Sequence, residues 1–309
     1  AFERLGGIRH LAVDKTGTLT RNQPEVTDVV PADGFNRAQV LTFAAAVEQQ
    51  STHPLAAAIA AAGPEAPAAL DISEEAGHGI GGTVEGRRVL VGSPRWIDAG
   101  PLKADVERME SEGQTCVLVT VDDALAGAIG VRDELRPEVP EAVQTLHAND
   151  VEVSMLTGDN TRTARALAGI AGIDDVRAEL RPEDKASIVA ELSSKTSTAM
   201  IGDGINDAPA LAGATVGIAM GATGSDAAIE SADVAFTGHD LRLIPQALQH
   251  ARRGSRIINQ NIVLSLAIII VLMPLAISGV LGLAAVVLVH EVAEVIVILN
   301  GLRAAQAKR

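Results

Sequence analysis

The apolar positions of this chain fall into three patterns. In the first, a short apolar run stops abruptly at a polar, glycine-containing loop: His10–Asp14 runs into Lys15-Thr16-Gly17, Val151–Leu156 into Thr157-Gly158-Asp159-Asn160, and Thr198–Ile201 into Gly202-Asp203-Gly204-Ile205-Asn206-Asp207. Runs that are apolar on both faces suit the strands of a parallel sheet covered by helices. Helical stretches up to Ala171 and over Asp184–Ser193 alternate with them, and short strands are predicted at Thr215–Met220 and Val234–Phe236. Ala124–Val131, followed by a helix opened by Arg136-Pro137-Glu138, joins the same series. The expected fold class is α/β, a doubly wound parallel sheet split between 1–25 and 124–240.

The second pattern interrupts the first. Between 26 and 123 there are two Ala-rich helical stretches, Arg37–Gln49 and Pro54–Ala62. They are followed by a hairpin signal at Glu85-Gly86 and a strand Thr115–Val121 that turns at Asp122-Asp123. This mixture predicts an inserted α+β domain.

The third pattern closes the chain. After a connecting helix over 241–256, the only ionisable side chains from Ile257 to Leu302 are His290, Glu291 and Glu294. That span (257–302) accommodates two membrane helices of about 20 residues each, with a turn at Ser278-Gly279 and Gly282. Arg252, Arg253 and Arg256 precede it, and Arg303, Lys308 and Arg309 follow. Basic residues at both ends put both ends, including the tail 303–309, on the cytoplasmic side of the bilayer.

Composition narrows the partners. A formal net charge of −14 argues against nucleic acid and suits a divalent cation or a Mg-nucleotide. The single cysteine, Cys116, excludes an internal disulfide and reads as a core residue. The start lacks an initiator Met and a signal-peptide pattern, so the chain is expected to be part of a longer one. Its Ala-rich composition suggests a bacterial source.

Three strands ending on aspartate-bearing loops predict one shared site, because open α/β sheets bind ligands at the carboxyl ends of their strands. A lone aspartate there is commonly a helix cap; three in series point to chemistry. Asp14 is the candidate nucleophile for a phosphoryl group. Asp203 and Asp207 can hold Mg²⁺ with it, and Lys185 can put its ammonium on the phosphate. Thr157, the Gly158 N–H and Asn206 are further donors. Thr16 stands where a carboxylate could act as general base for hydrolysis, so a phosphorylated Asp14 should persist.

In the membrane segment, His290, Glu291 and Glu294 are expected on roughly one helix face. They are ion ligands or proton carriers by default, with an interhelical polar clasp as the alternative. Imidazole with carboxylates suits Zn²⁺, Co²⁺, Ni²⁺ or Fe²⁺ better than Cu⁺.

Asp14-Lys-Thr-Gly-Thr-Leu-Thr20, Thr157-Gly-Asp159 and Gly202-Asp-Gly-Ile-Asn-Asp207, in this order around a large insertion, resemble the P-type ATPases. The phosphorylation domain of that family has the haloacid-dehalogenase-like fold. Ser51-Thr-His53-Pro54 with Glu48, and Gly77-His-Gly79-Ile-Gly-Gly82, resemble the nucleotide-binding domain of the heavy-metal branch. The resemblance implies that Asp14 is phosphorylated by ATP with Lys15, Thr16, Asp159 and Lys185 in the catalytic set. It also implies that Asp14, Thr16, Asp203 and Asp207 serve Mg²⁺, that Glu48 and His53 contact adenosine, and that Gly77 and Gly79 admit it closely.

His290-Glu291 and Leu299-Asn-Gly-Leu-Arg303 resemble the last helix of the cobalt/zinc-type subgroup. The chain departs from that pattern at Val292, Ala293 and Glu294, and Ile268-Ile269-Ile270 stands where zinc/cadmium members carry a lysine. The implied whole is a multi-pass plasma-membrane exporter of a divalent heavy metal with cytoplasmic catalytic domains. Its actuator domain and earlier helices would lie in a missing N-terminal half. Two other readings remain: a membrane-tethered phosphatase, against which Thr16 and the His53-Pro54 insertion argue, and a non-catalytic nucleotide-binding regulatory fragment.

Overall fold

The computed structural model describes residues 2–51, 53, 55–75, 78–202, 205–220, 230–238 and 240–305. Two six-stranded sheets organise the part before the last helices. The first is parallel and contains β1 (His10–Asp14), β8 (Glu152–Leu156), β9 (Asp175–Arg177), β10 (Thr198–Gly202), β11 (Val216–Met220) and β12 (Val234–Phe236). Their order is β12-β11-β10-β1-β8-β9, which puts β1 in the interior between β10 and β8.

Pairing aligns Asp14 with Leu156 and Val13 with Ile201. The loops after all three strands therefore leave the sheet at one level. Alternate β1 side chains serve opposite faces. Leu11 and Val13 pack with Val143, Leu146, Ile244 and Leu248, and Ala12 packs with Val189, Met200 and Leu211.

The second sheet is antiparallel, in the order β2-β7-β6-β5-β4-β3. It comprises β2 (Thr20–Pro31), β3 (Leu70–Glu75), β4 (Gly79–Val84), β5 (Arg87–Gly92), β6 (Thr115–Val121) and β7 (Ala124–Leu135). Two of its turns are two-residue hairpins with left-handed backbone throughout: Glu85 and Gly86 have φ of 50° and 80°, and Asp122 and Asp123 have φ of 50° and 64°. These are the primed turns that match strand twist. Helices α2 (Arg37–Glu48) and α3 (Ala56–Ala62) cover one face through Val40, Val47 and Ile59. Helix α4 (Lys103–Ser111) covers the other through Val106 and Met109. Cys116 lies in that second core, where burial pushes its thiol up to about 12, so it is an inert apolar residue.

One expectation is corrected here. Ala124–Val131 does not resume the parallel sheet; it begins β7, which pairs antiparallel with β6 and β2. The first strand of this sheet also starts earlier than expected, at Thr20. The inserted unit therefore runs from Thr20 to Leu135, not from 26 to 123. An apolar run does not by itself reveal the direction of its partner, and β2 was obscured by Pro24 and Pro31, which an edge strand tolerates. The chain enters and leaves the insert side by side: Thr20 pairs with Leu135, and Arg136 N–H donates to Leu19 O at 2.9 Å.

The chain ends in two long helices, Leu243–Ile277 and Leu283–Ala305, each long and apolar enough to cross a membrane. The connecting helix and the first of these are one continuous helix of 35 residues. Its first turns pack on the parallel sheet through Ile244, Leu248 and Ala251. Arg252 donates from Nη1 to Asn149 O at 2.6 Å and from Nη2 to Ile8 O at 2.7 Å. The last helix returns beside it, and Asn300 Nδ2 donates to Asn261 Oδ1 at 2.8 Å.

Candidate active site

The central strand delivers Asp14, buried, to the level at which the other two loops emerge. Helix α7 (Pro182–Lys195) opens with proline at its first turn, and Arg181 N–H donates to Asp184 Oδ2 at 2.9 Å. That start fixes Lys185 so that Nζ reaches Asp14 Oδ1 at 2.5 Å and Asp207 Oδ1 at 3.0 Å. Burial alone would lower the pKa of Lys185; the charges of Asp14 and Asp207 outweigh it and hold the ammonium well above its ordinary value. Asp207 itself folds back over Gly202. A Cβ on Gly202 would lie 2.7 Å from Asp207 Oδ2, so a larger residue there would displace the Asp207 side chain.

Lys15, also buried, makes a second ion pair with Asp159 Oδ2 at 2.6 Å. The Thr157–Asp159 loop is held by its neighbours: Thr157 N–H donates to Arg177 O, Leu180 N–H to Thr157 O, and Glu179 N–H to Asp159 O. Thr157 is buried, with Oγ1 accepting from Asp159 N–H at 3.1 Å, while Gly158 is exposed at the tip. Asn206 is exposed on the turn that carries Asp207. Asp203 lies outside the described residues.

Two residues whose role sequence reasoning missed, Arg136 and Asp133, shape the loop after Asp14. Gly17 adopts φ of 74°, a left-handed conformation suited to glycine. Arg136 grips that turn by donating from Nε to Thr18 O at 3.0 Å and from Nη2 to Gly17 O at 3.1 Å. Asp133 Oδ2 lies 2.5 Å from Thr20 Oγ1, and that hydroxyl accepts from Gly17 N–H at 3.3 Å. The available signal was Arg136 before Pro137, which reads as an ordinary helix start. Half-buried Thr16 therefore sits in a loop clamped from the exit of the insert.

The second constellation is on the antiparallel sheet. Glu48 ends α2, buried, and its Oε2 has no hydrogen-bond partner among the described residues. Burial, with the charge of Glu74 beside it, pushes its carboxyl up to about 7 against the pull of Ser51. An orphaned buried carboxyl oxygen is costly unless a ligand satisfies it. A purine's exocyclic amino group would do so.

His53 Nδ1 accepts from Leu55 N–H at 3.3 Å, which assigns the proton of the neutral ring to Nε2. Desolvation lowers the pKa of His53 against the charges of Glu74 and Asp159. Asp159 comes from the parallel sheet, so its charge is felt at His53 across the boundary of the two units. Gly79 has a packing reason of its own: a Cβ there would meet Val91 O at 2.1 Å. Gly77 lies outside the described residues.

Glu48 makes stability pH-dependent. Between pH 4.5 and about 7 the folded chain keeps a proton there that the unfolded chain has released. Its contribution to stability therefore falls as pH rises through that window, and the full penalty stands above it. Glu48→Gln is expected to be more stable than the parent at pH 8 by about 3 kcal/mol, and equal to it below pH 4.5; denaturant melts at both pH values check this.

In the last helix, His290 Nε2 lies 3.3 Å from Glu294 Oε1, both side chains being more than half exposed. Glu291 is turned about 100° from His290 and about 60° from Glu294 along the same helix. Among the described residues no three His, Cys, Asp or Glu side chains converge on a metal-sized site.

Comparison with known proteins follows this geometry. Residues 8–215 match the haloacid dehalogenase-like hydrolase family. The probable cation-transporting ATPase G of Mycobacterium tuberculosis is 58% identical over 308 residues, covering 100% of this chain and 40% of that protein. The zinc/cadmium/lead-transporting P-type ATPase of Escherichia coli is 42% identical over 307 residues, covering 98% of this chain and 42% of that protein. The crystal structure of a zinc-transporting PIB-type ATPase in its E2.Pi state superposes with a TM-score of 0.75 at 41% identity, covering 99% of this chain and 51% of that one. The chain thus spans about two-fifths of the length of the two curated relatives.

Proposed function

Because the chain belongs to the haloacid dehalogenase-like hydrolases, we propose that it is the catalytic and final membrane portion of a heavy-metal-exporting P-type ATPase, phosphorylated by ATP on Asp14. The observation that carries this reading is the buried Asp14–Lys185–Asp207 cluster at the end of the central strand, together with a buried Glu48 oxygen, Oε2, that has no hydrogen-bond partner among the described residues of the antiparallel unit.

In this mechanism Glu48 and His53 hold the adenine, and Gly77 and Gly79 line its approach. The γ-phosphate meets Asp14 between the Lys185 ammonium and the donors of Thr157, Gly158 and Asn206. An Asp14 carboxylate oxygen attacks the γ-phosphorus; a P–O bond forms, the bond to the β,γ-bridging oxygen breaks, and ADP leaves with the electron pair. Asp14, Thr16, Asp203 and Asp207 offer the oxygen ligands that suit Mg²⁺, which neutralises phosphate charge when bound. Lys15 pairs with Asp159 and keeps that loop beside the nucleophile. With no carboxylate at Thr16 to activate water, the aspartyl phosphate persists long enough to drive a conformational change. The names of relatives that transport zinc, cadmium and lead support a divalent heavy-metal cargo; imidazole with carboxylates favours the Zn²⁺, Co²⁺, Ni²⁺ or Fe²⁺ type, carried across the bacterial plasma membrane and held by His290, Glu291 and Glu294 with ligands from helices elsewhere in the polypeptide.

The test is acid-stable labelling of the protein by γ-labelled but not α-labelled ATP; absence of γ-label in the presence of Mg²⁺ and each candidate metal would overturn it. For the cargo, His290→Ala is expected to remove metal stimulation of ATP hydrolysis by membrane vesicles while leaving nucleotide affinity unchanged. Retained stimulation would remove His290 from the transport site.

A further inference from the structure

The antiparallel and parallel units touch where α4 meets the start of α6 (Thr161–Ala171). Glu110, its side chain only 12% exposed, accepts from Asn160 Nδ2 at 3.1 Å and from Arg162 Nη1 at 2.8 Å. Arg162 also lies 3.8 Å from Glu107. Thr163 Oγ1 donates to Gln114 O at 2.7 Å, and both residues are buried. Asn160 is fixed in orientation: its Oδ1 caps α6 by accepting from Thr163 N–H at 2.9 Å, which directs its NH₂ to Glu110. It is also the residue after Asp159, so one peptide bond separates this contact from the Lys15–Asp159 pair.

These bonds do not serve the core of either sheet. Glu107, Glu110 and Gln114 belong to the antiparallel unit, and Asn160, Arg162 and Thr163 to the parallel one. The covalent link between the units consists of two strands side by side at Leu19–Thr20 and Leu135–Arg136. Two adjacent strands act as a hinge line and leave one rotation about it undetermined. An attachment off that line sets the angle. Charge-assisted hydrogen bonds are the strong class of such attachments; here the carboxylate of Glu110 is mostly buried and the Arg162 guanidinium is half exposed.

We propose that Glu110, Asn160, Arg162 and Thr163 are positioning residues for phosphoryl transfer, holding the antiparallel unit at the angle that presents the γ-phosphate of bound ATP to Asp14. This rests on the function proposed above. None of the four touches the reacting atoms. They act by setting the distance between a nucleotide bound at Glu48 and His53 and the carboxylate that attacks it, and proximity of this kind controls rate without altering the chemistry.

A small acyl phosphate separates this role from simple damage, because acetyl phosphate reaches Asp14 without engaging the nucleotide site. In the purified chain, Glu110→Ala is expected to slow labelling from γ-labelled ATP roughly tenfold. Labelling from phosphate-labelled acetyl phosphate and affinity for a fluorescent ATP analogue should be unchanged. Arg162→Lys, which keeps the charge, should retain most of the ATP rate. Equal slowing with both donors, or no slowing with ATP, would overturn the positioning role. A parent chain that labels from neither donor would instead overturn the reading of Asp14 itself.

Discussion

Asp14→Asn is expected to reduce acid-stable labelling from ATP to background. The substitution keeps the volume of the side chain and removes the nucleophilic oxygen charge, so no covalent phosphoenzyme can form. Lys185 retains Asp207 at 3.0 Å as a counter-charge, and the core around β1 is untouched. The variant should therefore fold, melt within about 1 kcal/mol of the parent, and bind a fluorescent ATP analogue with unaltered affinity. Labelling that survives in Asp14→Asn would transfer the nucleophile to another residue.

Lys185→Met is expected to cause the largest loss of stability. Its ammonium is the cation between two buried carboxylates, Asp14 and Asp207. Methionine fills much of the same space and leaves both negative charges buried beside each other. Removing one partner from a buried ionic cluster costs about 3–5 kcal/mol, measurable as a shift in denaturant midpoint.

The sign with pH follows from the raised pKa of Lys185. Its stabilisation is fully present below the ordinary lysine value and is lost only as pH rises through the higher folded value. The deficit of the variant should therefore be flat between pH 6 and pH 9. Millimolar Mg²⁺ should restore part of it, because a divalent cation can take the place of the ammonium between the carboxylates. In the double variant with Asp14→Asn the loss should shrink, since only one buried carboxylate remains. A melt of Lys185→Met equal to that of the parent would show that the carboxylates are neutralised by another route.

The parallel sheet was legible in the sequence because each of its inner strands is apolar on both faces and stops on a loop of small and acidic residues. The register then follows from physics: strands that begin together and have equal length end together, which brings Asp14, Thr157 and Gly202 to one level. Lys185 was legible through the helix start that precedes it. The direction of β7 was not, because β-branched and alanine residues suit either kind of pairing. Asp133 and Arg136 were hidden for a related reason. Their role depends on lying across from Thr20 and Gly17, more than a hundred positions away in sequence, and nothing local to a Pro-preceded helix start announces that.

The continuous helix Leu243–Ile277 turns the parallel sheet and the first membrane segment into one lever. Its handle is the packed stretch ending near Arg252, whose guanidinium is bonded to the carbonyl that leads into the Asp14 strand. From Ala251 to Pro274, the proline near its far end, the shaft is about 35 Å long at 1.5 Å per residue, so a tilt of about 10° at the handle sweeps the tip through about 6 Å, one helical pitch. Because Asn261 ties the shaft to Asn300 in the returning helix, that sweep is shared with the segment bearing His290 and Glu294. In the function proposed above, a change of charge at the Asp14 strand end would gain amplitude in proportion to the length of this single helix.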